Sequence, residues 1–194
     1  MKNAIIVHGM PPKEEYYDPT APSASNAHWI PWLSKQFLIN DINAYAVEVP
    51  HCYSPVYELW KTEFEKNTVN ADSILVGHSC GGGFLIRWLS ENKQIKINKL
   101  VLVAPWLGHS ITIPTNLKDS FFNFEWDENL AYRINNFYVL NSLNDMPDIH
   151  ESVKEIHQKV KNIQIINFQD KGHFTEHDLG GTAFPELLEI CLSK

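Results

Sequence analysis

The sequence predicts an α/β fold with a mostly parallel central sheet of about six strands and helices on both faces. Short apolar runs recur along the chain, and stretches with helical spacing separate most of them. The six apolar runs cover residues 4–7, 44–49, 74–76, 100–103, 137–140 and 163–166. Strands that alternate with helices in this way are typical of parallel sheets.

The predicted helices are marked by apolar residues at helical spacing. They contain Trp29, Leu33 and Phe37; Val56, Leu59, Trp60 and Phe64; Phe84, Leu85, Trp88 and Leu89; and Val153, Ile156 and Val160. After Pro185, a stretch with Leu187, Leu188 and Cys191 on one side predicts a last helix. The chain has 194 residues and 44% hydrophobic composition, which is enough for one core, so we expect a single domain over residues 1–194.

Composition and charge limit the possible partners and compartment. The sequence has 16 Lys and Arg against 23 Asp and Glu, a net charge of −7, and no dense basic cluster, so no nucleic-acid partner is expected. Three scattered cysteines fit a reducing compartment, and we expect the cytoplasm. The first apolar run is shorter than the roughly 7 to 15 residues of a signal peptide or the ~18 of a membrane helix, so no membrane association is expected.

One turn carries the clearest chemical signal. The apolar run 74–76 leads into Gly77-His78-Ser79-Cys80-Gly81, and an amphipathic segment follows. A strand, a Gly-x-Ser-x-Gly turn and a helix together form the nucleophile elbow of serine hydrolases, in which a strained backbone lifts the serine above the sheet edge. The two glycines avoid side-chain collisions in that turn. We therefore predict that Ser79 is a catalytic nucleophile.

A serine nucleophile requires a base, and the chain order expected for this type of site is serine, acid and then histidine. The histidines downstream of Ser79 are His109, His150, His157, His173 and His177. We prefer His173, because Gly172-His173 follows the last predicted strand through a short turn and so lies at the same sheet edge as Ser79. His157 lies on a predicted helix and is interpreted as structural.

The acid that orients the histidine is expected on the loop after the strand 137–140. Asp145 and Asp148 both occur in this part of the chain. Pro147 indicates that the next helix has begun by Asp148. Asp145 is therefore the preferred acid, and Asp148 is its rival.

An oxyanion hole needs backbone N–H groups directed at the carbonyl oxygen as it becomes negative. We predict that Cys80, the residue after the nucleophile, supplies one of them. The loop after the first strand supplies the second, with Met10 as the expected donor because Pro11 has no N–H group. Gly9 is the flexible point that lets this backbone approach.

Two insertions interrupt the alternation of strands and helices, at residues 10–26 and 104–135. Ligands bind at the carboxyl ends of the strands in open α/β sheets, so both insertions are expected to overhang the site. The candidates for the substrate pocket are Gly9, Trp106, Phe121, Phe122 and Trp126. The alternative is that the aromatic residues of the second insertion pack a small core of their own.

Metal and nucleotide chemistry find less support in the sequence. His173 and His177 lie four positions apart, but Gly172 indicates a loop, and no Glu completes a His-Glu-x-x-His motif. The loop after the first strand lacks the Gly-x-Gly-x-x-Gly pattern of dinucleotide-binding folds. We therefore predict neither a metal site nor a cofactor.

The chain resembles the small serine hydrolase family that includes retinoblastoma-binding protein nine and its bacterial relatives. The matching motifs, in order, are residues 5–9, residues 29–33, Gly77-His78-Ser79-x-Gly81-Gly82, residues 103–105, Ser142-x-Asn144-Asp145 and Gly172-His173. The resemblance implies a compact α/β-hydrolase fold without a large cap domain and a triad of Ser79, Asp145 and His173. The family often has Asp-Asp where this chain has Asn144-Asp145. Its members hydrolyse small activated esters.

Two hypotheses about function follow. The first is a hydrolase of small carboxylic esters that works through an acyl-serine intermediate on Ser79. The second is a protein-binding module on a hydrolase fold with weak or vestigial activity, although the sequence contains no Leu-x-Cys-x-Glu motif and does not itself indicate a protein partner. An intact set of Ser79, Asp145 and His173 favours the first hypothesis.

Overall fold

The computed structural model describes residues 2–109 and 118–193. All six predicted strands are present and form one parallel sheet. They are β1 (Asn3–Val7), β2 (Asn43–Val47), β3 (Ile74–His78), β4 (Ile97–Val103), β5 (Ile134–Ser142) and β6 (Gln164–Phe168), in the spatial order β2-β1-β3-β4-β5-β6. The sheet is parallel at every pairing, where the sequence indicated a mostly parallel one.

The helices predicted from apolar spacing are also present. The helices are α1 (Lys13–Tyr16), α2 (Ile30–Ile39), α3 (Tyr57–Phe64), α4 (Cys80–Glu91), α5 (Pro147–Lys159), α6 (Glu176–Leu179) and α7 (Pro185–Leu192). Pro occupies the first turn of α2, α5 and α7, where its missing N–H group costs nothing. Among the described residues, no helix is both long and apolar enough to cross a membrane.

The burial of each strand follows its place in the sheet. Every residue of β1 and β3 is buried, because helices cover both faces of the sheet centre. The residues of the edge strands β2 and β6 are exposed or partly covered, except for the buried Val47. Because the central strands are buried on both faces, their sequences contain nearly continuous apolar runs. The edge strands are more exposed and carry polar residues such as Asn43 and Gln164.

The order of the strands places a crevice above β1 and β3. The connection through α2 carries the chain from β1 to β2 on one side, and the connection through α3 then returns it past β1 to β3. Val7 pairs with Gly77, so the loops that follow β1 and β3 leave the sheet side by side. Ligands bind at such a switch point in open parallel sheets.

The last helix is tied to the sheet by a buried lysine. Lys99, on β4, is fully buried, and its Nζ atom donates to the carbonyl oxygens of Ile190 and Ser193, both at 2.7 Å. These carbonyls lie at the end of α7, where a helix presents unpaired acceptors and a partial negative charge. The helix therefore supplies the partners that allow an ammonium group to be buried.

The connection between β4 and β5 covers residues 104–133, and residues 110–117 lie outside the described part of the chain. Its described part contains a π-helical turn, Lys118–Phe122, and a 3₁₀ turn, Leu130–Arg133. Phe121 and Leu130 are buried in the core of the protein. The described residues therefore form one parallel sheet with helices on both faces, and none of them builds a separate cap domain.

Candidate active site

Ser79 occupies a strained turn between β3 and α4. Its backbone has φ 51° and ψ −118°, a combination that residues with a side chain rarely adopt. Two glycines make the turn possible. A methyl group at Gly77 would lie 2.8 Å from the carbonyl oxygen of Gly81, and one at Gly81 would collide with the carbonyl oxygens of Val7 and His8.

Backbone hydrogen bonds hold the turn in place. The Ser79 N–H group donates to the carbonyl oxygen of Val103 at 2.9 Å, which links the turn to the end of β4. The Ser79 carbonyl oxygen accepts from the N–H group of Trp106, also at 2.9 Å. The chain after β4 is therefore fixed beside the turn, and strain at Ser79 is balanced by bonds to a neighbouring loop.

Asp145 and His173 meet at the same edge of the sheet. The His173 Nδ1 atom lies 3.1 Å from both carboxylate oxygens of Asp145, whose side chain is 1% exposed, whereas that of His173 is 20% exposed. The Met146 N–H group donates to Asp145 Oδ1 at 2.7 Å. The carboxylate is thus held from two sides, and His173 itself lines the pocket at this sheet edge.

Two hydrogen bonds join the loop that carries Asp145 to the loop that carries His173. Ser142 Oγ accepts a hydrogen bond from the Lys171 N–H group at 2.8 Å. Asn144 Oδ1 accepts from the Gly172 N–H group at 2.9 Å. The Asn residue, which departs from the common Asp-Asp pattern of the family resemblance, therefore retains an acceptor that fixes the histidine loop.

Asp178, to which no role in the triad was predicted, supports His173 from the other side. Its Oδ2 atom accepts from the N–H group of His173 at 2.9 Å and from the Thr175 hydroxyl at 2.8 Å. Burial opposes the charge, but the hydrogen bonds from Thr175 and His173 hold the pKa of Asp178 below its usual value. The Thr175-x-x-Asp178 spacing is a capping box, which is a signal that the sequence does contain.

His78, next to the nucleophile, makes a second contact with His173. Its Nε2 atom donates to the carbonyl oxygen of His173 at 2.9 Å, and the two rings lie 5.1 Å apart. Burial, together with the nearby His173, keeps the pKa of His78 well below 6.5. His78 is therefore neutral near pH 7 and acts as a fixed donor.

Two backbone donors next to Ser79 have no partner within the described chain. Neither the Met10 nor the Cys80 N–H group donates a hydrogen bond to an acceptor among the described residues. Gly9 allows their approach, because a methyl group at that position would lie 3.1 Å from Cβ of Ser79. The two N–H groups expected to form an oxyanion hole are therefore unpaired within the described residues, as that role requires.

A pocket of about 500 Å³ opens over this edge of the sheet. Ser79 and His173 both line it, and so do Gly9, Met10 and Trp106. Its walls are largely apolar, with contributions from Pro11, Pro12, Ala24, Ala27, Ile30, Met146 and Ile149. A pocket of this size with few convergent polar groups suits a small organic ligand.

A family model described as serine hydrolase matches residues 20–191. The chain belongs to the serine hydrolase family. This serine hydrolase is 26% identical to YdeN of Bacillus subtilis. The alignment is 198 residues long, gaps included, and covers 99% of this chain and 95% of that protein.

The solved structures agree on the fold of this serine hydrolase. The product of the Bacillus subtilis ydeN gene matches it with a TM-score of 0.80 at 24% identity, over 98% of this chain and 96% of that one. The carboxylesterase CesB of the same organism matches with a TM-score of 0.56 at 10% identity, over 98% and 84% of the two chains. At these identities the structures show a shared α/β-hydrolase fold.

Three of the predicted pocket residues of this serine hydrolase lie outside the pocket, so the prediction was wrong for them. Phe121 is fully buried, and the centroid of its ring lies 5.3 Å from that of Trp60 on α3. Phe122 and Trp126 line a separate cavity of about 320 Å³. The π-helical turn directs Phe121 and Phe122 toward α4, so the alternative reading, in which these aromatic residues pack a core, describes them better.

The rival acid, Asp148, has a different partner. It lies in the first turn of α5, and its Oδ2 atom accepts from Trp106 Nε1 at 3.0 Å. In the structure it is Asp145 whose carboxylate contacts the His173 ring. Asp148 also lines the pocket, where it holds the indole of Trp106 in place.

One group of side chains in the described residues has the composition of a metal site. Ligand atoms of His8, Glu48 and Cys52 lie within 4.8 Å of one another. However, His8 Nδ1 donates to the carbonyl oxygen of Gly9, and His8 Nε2 accepts from the Val49 N–H group. Burial also raises the pKa of Cys52 to about 12, so its thiol remains protonated. This chemistry does not favour a bound metal.

The thiol beside Ser79 is not a competing nucleophile. Cys80 is fully buried at the start of α4, and burial raises the pKa of its thiol well above the ordinary value. A reactive cysteine needs a lowered pKa and access to the substrate. The part of Cys80 that is expected to serve the site is its backbone N–H group.

Proposed function

We propose that this serine hydrolase cleaves small carboxylic esters through an acyl-enzyme intermediate on Ser79. The observation that carries the proposal is the contact of the buried Asp145 carboxylate with Nδ1 of His173, at the edge of the pocket that Ser79 lines. A carboxylate on Nδ1 keeps the proton there, so that Nε2 is free to act as a base. Asp145, His173 and Ser79 would then act as a triad.

In the first half of the reaction, Ser79 Oγ attacks the ester carbonyl carbon while His173 Nε2 removes the hydroxyl proton. The oxygen of the tetrahedral intermediate accepts from the N–H groups of Cys80 and Met10. When the intermediate collapses, the bond to the leaving oxygen breaks, and that oxygen takes the proton from His173. An alcohol leaves, and the acyl group remains on Ser79.

In the second half, a water molecule attacks the acyl carbon, and His173 again removes a proton. The bond to Ser79 Oγ breaks, the serine recovers its proton from His173, and a carboxylic acid leaves. The strained backbone at Ser79 supports this role, because it exposes the hydroxyl group above the sheet edge. A neighbour in fold, CesB, is described as a carboxylesterase, which agrees with the proposed reaction.

The test combines a covalent probe with turnover. A fluorophosphonate should label the protein at Ser79, as found by mapping the modified peptide, and Ser79→Ala should remove both labelling and hydrolysis of p-nitrophenyl butyrate. Triad losses in such enzymes cost on the order of 10⁶ in rate. Ser34→Ala, on α2 outside the pocket, is the matched control and should behave as the wild type.

Ester turnover by a folded Ser79→Ala variant within tenfold of the wild type would exclude the acyl-enzyme mechanism. Absence of labelling and turnover in the wild type would instead favour a binding module with a vestigial site. We expect the enzyme to act in the cytoplasm, a proposal supported by the free, buried thiols of Cys52, Cys80 and Cys191.

A further inference from the structure

The pocket carries charges of one sign. Two carboxylates, those of Glu15 and Asp148, line it, and no Lys or Arg among the described residues does so. The Asp148 carboxylate accepts a hydrogen bond from Trp106 but pairs with no cation in the described chain. A neutral indole donor leaves the negative charge of Asp148 in place.

Glu15 is the exposed carboxylate at the pocket mouth. It lies on α1, directly after the loop that carries Gly9 and Met10, and lines the pocket together with them. Its carboxylate has neither an ion pair nor a hydrogen bond to any described residue. No ion pair within the described chain offsets this charge, which is therefore open to a bound ligand or solvent.

The histidine beside Glu15 does not cancel its charge. His28 lines the same pocket and accepts a hydrogen bond from the Glu176 N–H group at 3.3 Å. Burial lowers the pKa of His28, even though Glu15 and Glu176 oppose that shift. At neutral pH this end of the pocket is thus formally negative.

A cleft lined by charges of one sign concentrates ions of the opposite sign and repels those of its own. The overall charge of −7 acts in the same direction. An ester that carries a phosphate or carboxylate group would be repelled by this field. No Lys or Arg among the described pocket residues could pair with its charge. An ester with a quaternary ammonium group would meet one or two carboxylates.

We infer that Glu15 is a specificity-determining residue, and that the pocket favours esters carrying a positive charge over neutral and anionic esters of the same shape. This inference rests on the proposed ester hydrolysis at Ser79. The physical basis is the unpaired Glu15 carboxylate at the mouth of a pocket that no Lys or Arg among the described residues lines.

The test uses pairs of substrates that differ only in charge. One pair is butyrylcholine and 3,3-dimethylbutyl butyrate, in which carbon replaces the nitrogen of the alcohol. A second pair carries the same replacement in the acyl group, as ethyl 4-(trimethylammonio)butyrate and ethyl 5,5-dimethylhexanoate. In at least one pair the cationic ester should have a kcat/KM about fivefold higher, the size expected of one solvent-exposed ion pair.

Glu15→Gln should bring that ratio of kcat/KM values close to one. Glu14→Gln removes the same charge from the neighbouring residue of α1, which does not line the pocket, and should retain the wild-type ratio. The preference should also shrink as NaCl is raised from about 0.01 M to 1 M, because salt screens an exposed charge. An anionic ester, ethyl hydrogen succinate, should be the poorest substrate.

Failure of this inference can be told apart from failure of the proposed function. If a fluorophosphonate labels Ser79 and neutral esters are hydrolysed, but neither pair favours the cation or the ratio survives Glu15→Gln, the specificity inference is wrong and the hydrolase proposal remains. If Ser79 is not labelled and no ester is hydrolysed, both are wrong. A ratio lost equally in Glu14→Gln would mean that net charge, and not Glu15, sets the preference, which also overturns the inference.

Discussion

The imidazole of His78 donates from Nε2 to the backbone carbonyl oxygen of His173 at 2.9 Å. Both histidines lie at the carboxyl edge of the sheet, one at the end of β3 and the other after β6, 95 positions later in the chain. Because His78 is buried and neutral, it can hold this carbonyl without changing charge near pH 7. The bond connects the nucleophile turn directly to the histidine loop.

His78→Phe should lower kcat about 10- to 100-fold with little change in KM. Phe keeps an aromatic ring but leaves the His173 carbonyl oxygen unpaired. The lost hydrogen bond costs about 1–3 kcal/mol, and the His173 imidazole is then held less firmly in its catalytic position. His78→Gln retains a donor near the place of Nε2 and should recover most of kcat. Steady-state kinetics on folded variants test this, and equal losses in both variants would mean that only the shape of the ring matters.

Acidification should destabilise the protein below pH 6.5. Burial keeps the pKa of His8 and His78 below 6.5, the value expected in the unfolded chain. The unfolded state then binds more protons between 6.5 and the lower folded pKa, so stability falls as the pH decreases through this window. Each histidine contributes up to about 1.4 kcal/mol per pH unit, measurable as the change in urea unfolding free energy between pH 7.5 and 5.5.

The His78→Phe variant separates this effect from other titrations. It should lose less stability than the wild type between the two pH values, although it is less stable at pH 7.5. His157→Phe, which replaces an exposed histidine on α5, should keep the wild-type dependence. An unchanged pH dependence in His78→Phe would show that His78 does not remain neutral in the fold.

The choice of acid can be tested with two conservative changes. Asp145→Asn should depress turnover by roughly 10⁴, because an amide on Nδ1 favours the wrong tautomer of His173 and cannot stabilise its cation. Asp148→Asn should cost less than tenfold in turnover and at most about 1 kcal/mol in stability, since Asp148 supports Trp106 and the first turn of α5. The reverse order of kcat loss would assign the acid role to Asp148.

The pocket should favour short acyl chains. Its volume of about 500 Å³ is bounded by Trp106 and Ile149, so p-nitrophenyl esters of about two to six carbons should be the best substrates. Trp106→Ala should raise the activity on octanoate relative to butyrate. A wild-type preference for chains of about twelve carbons or more would show that the substrate lies in a longer groove.

Much of the fold could be predicted because burial leaves a direct mark on the sequence. Strands β1 and β3 are covered on both faces, so every position except Asn3 and His78 at their ends is apolar or Gly, and their limits could be predicted to within a few residues. The turn at Ser79 could be identified because a strained backbone requires glycines at fixed positions. Pro147 indicated that α5 begins before Asp148. Asp148 could therefore be assigned to the helix and Asp145 to the loop before it.

The walls of the pocket could not be predicted in the same way. Phe121 and Trp106 belong to one aromatic-rich insertion, yet Phe121 contacts Trp60 in the core while Trp106 lines the pocket. In an irregular segment no period of 2 or 3.6 residues fixes where a side chain points, so composition cannot separate the two. Only the packing of the chain against α4 decided it.

By itself, the sequence determined the order of strands and helices, the strained turn at Ser79 and the positions of Asp145 and His173 along the chain. The tertiary structure alone decided that His78 and Asp178 hold His173, and that Glu15 lies at the pocket mouth. These contacts join residues through loops at a shared sheet edge. Their geometry depends on the register of neighbouring strands, which local sequence patterns do not specify.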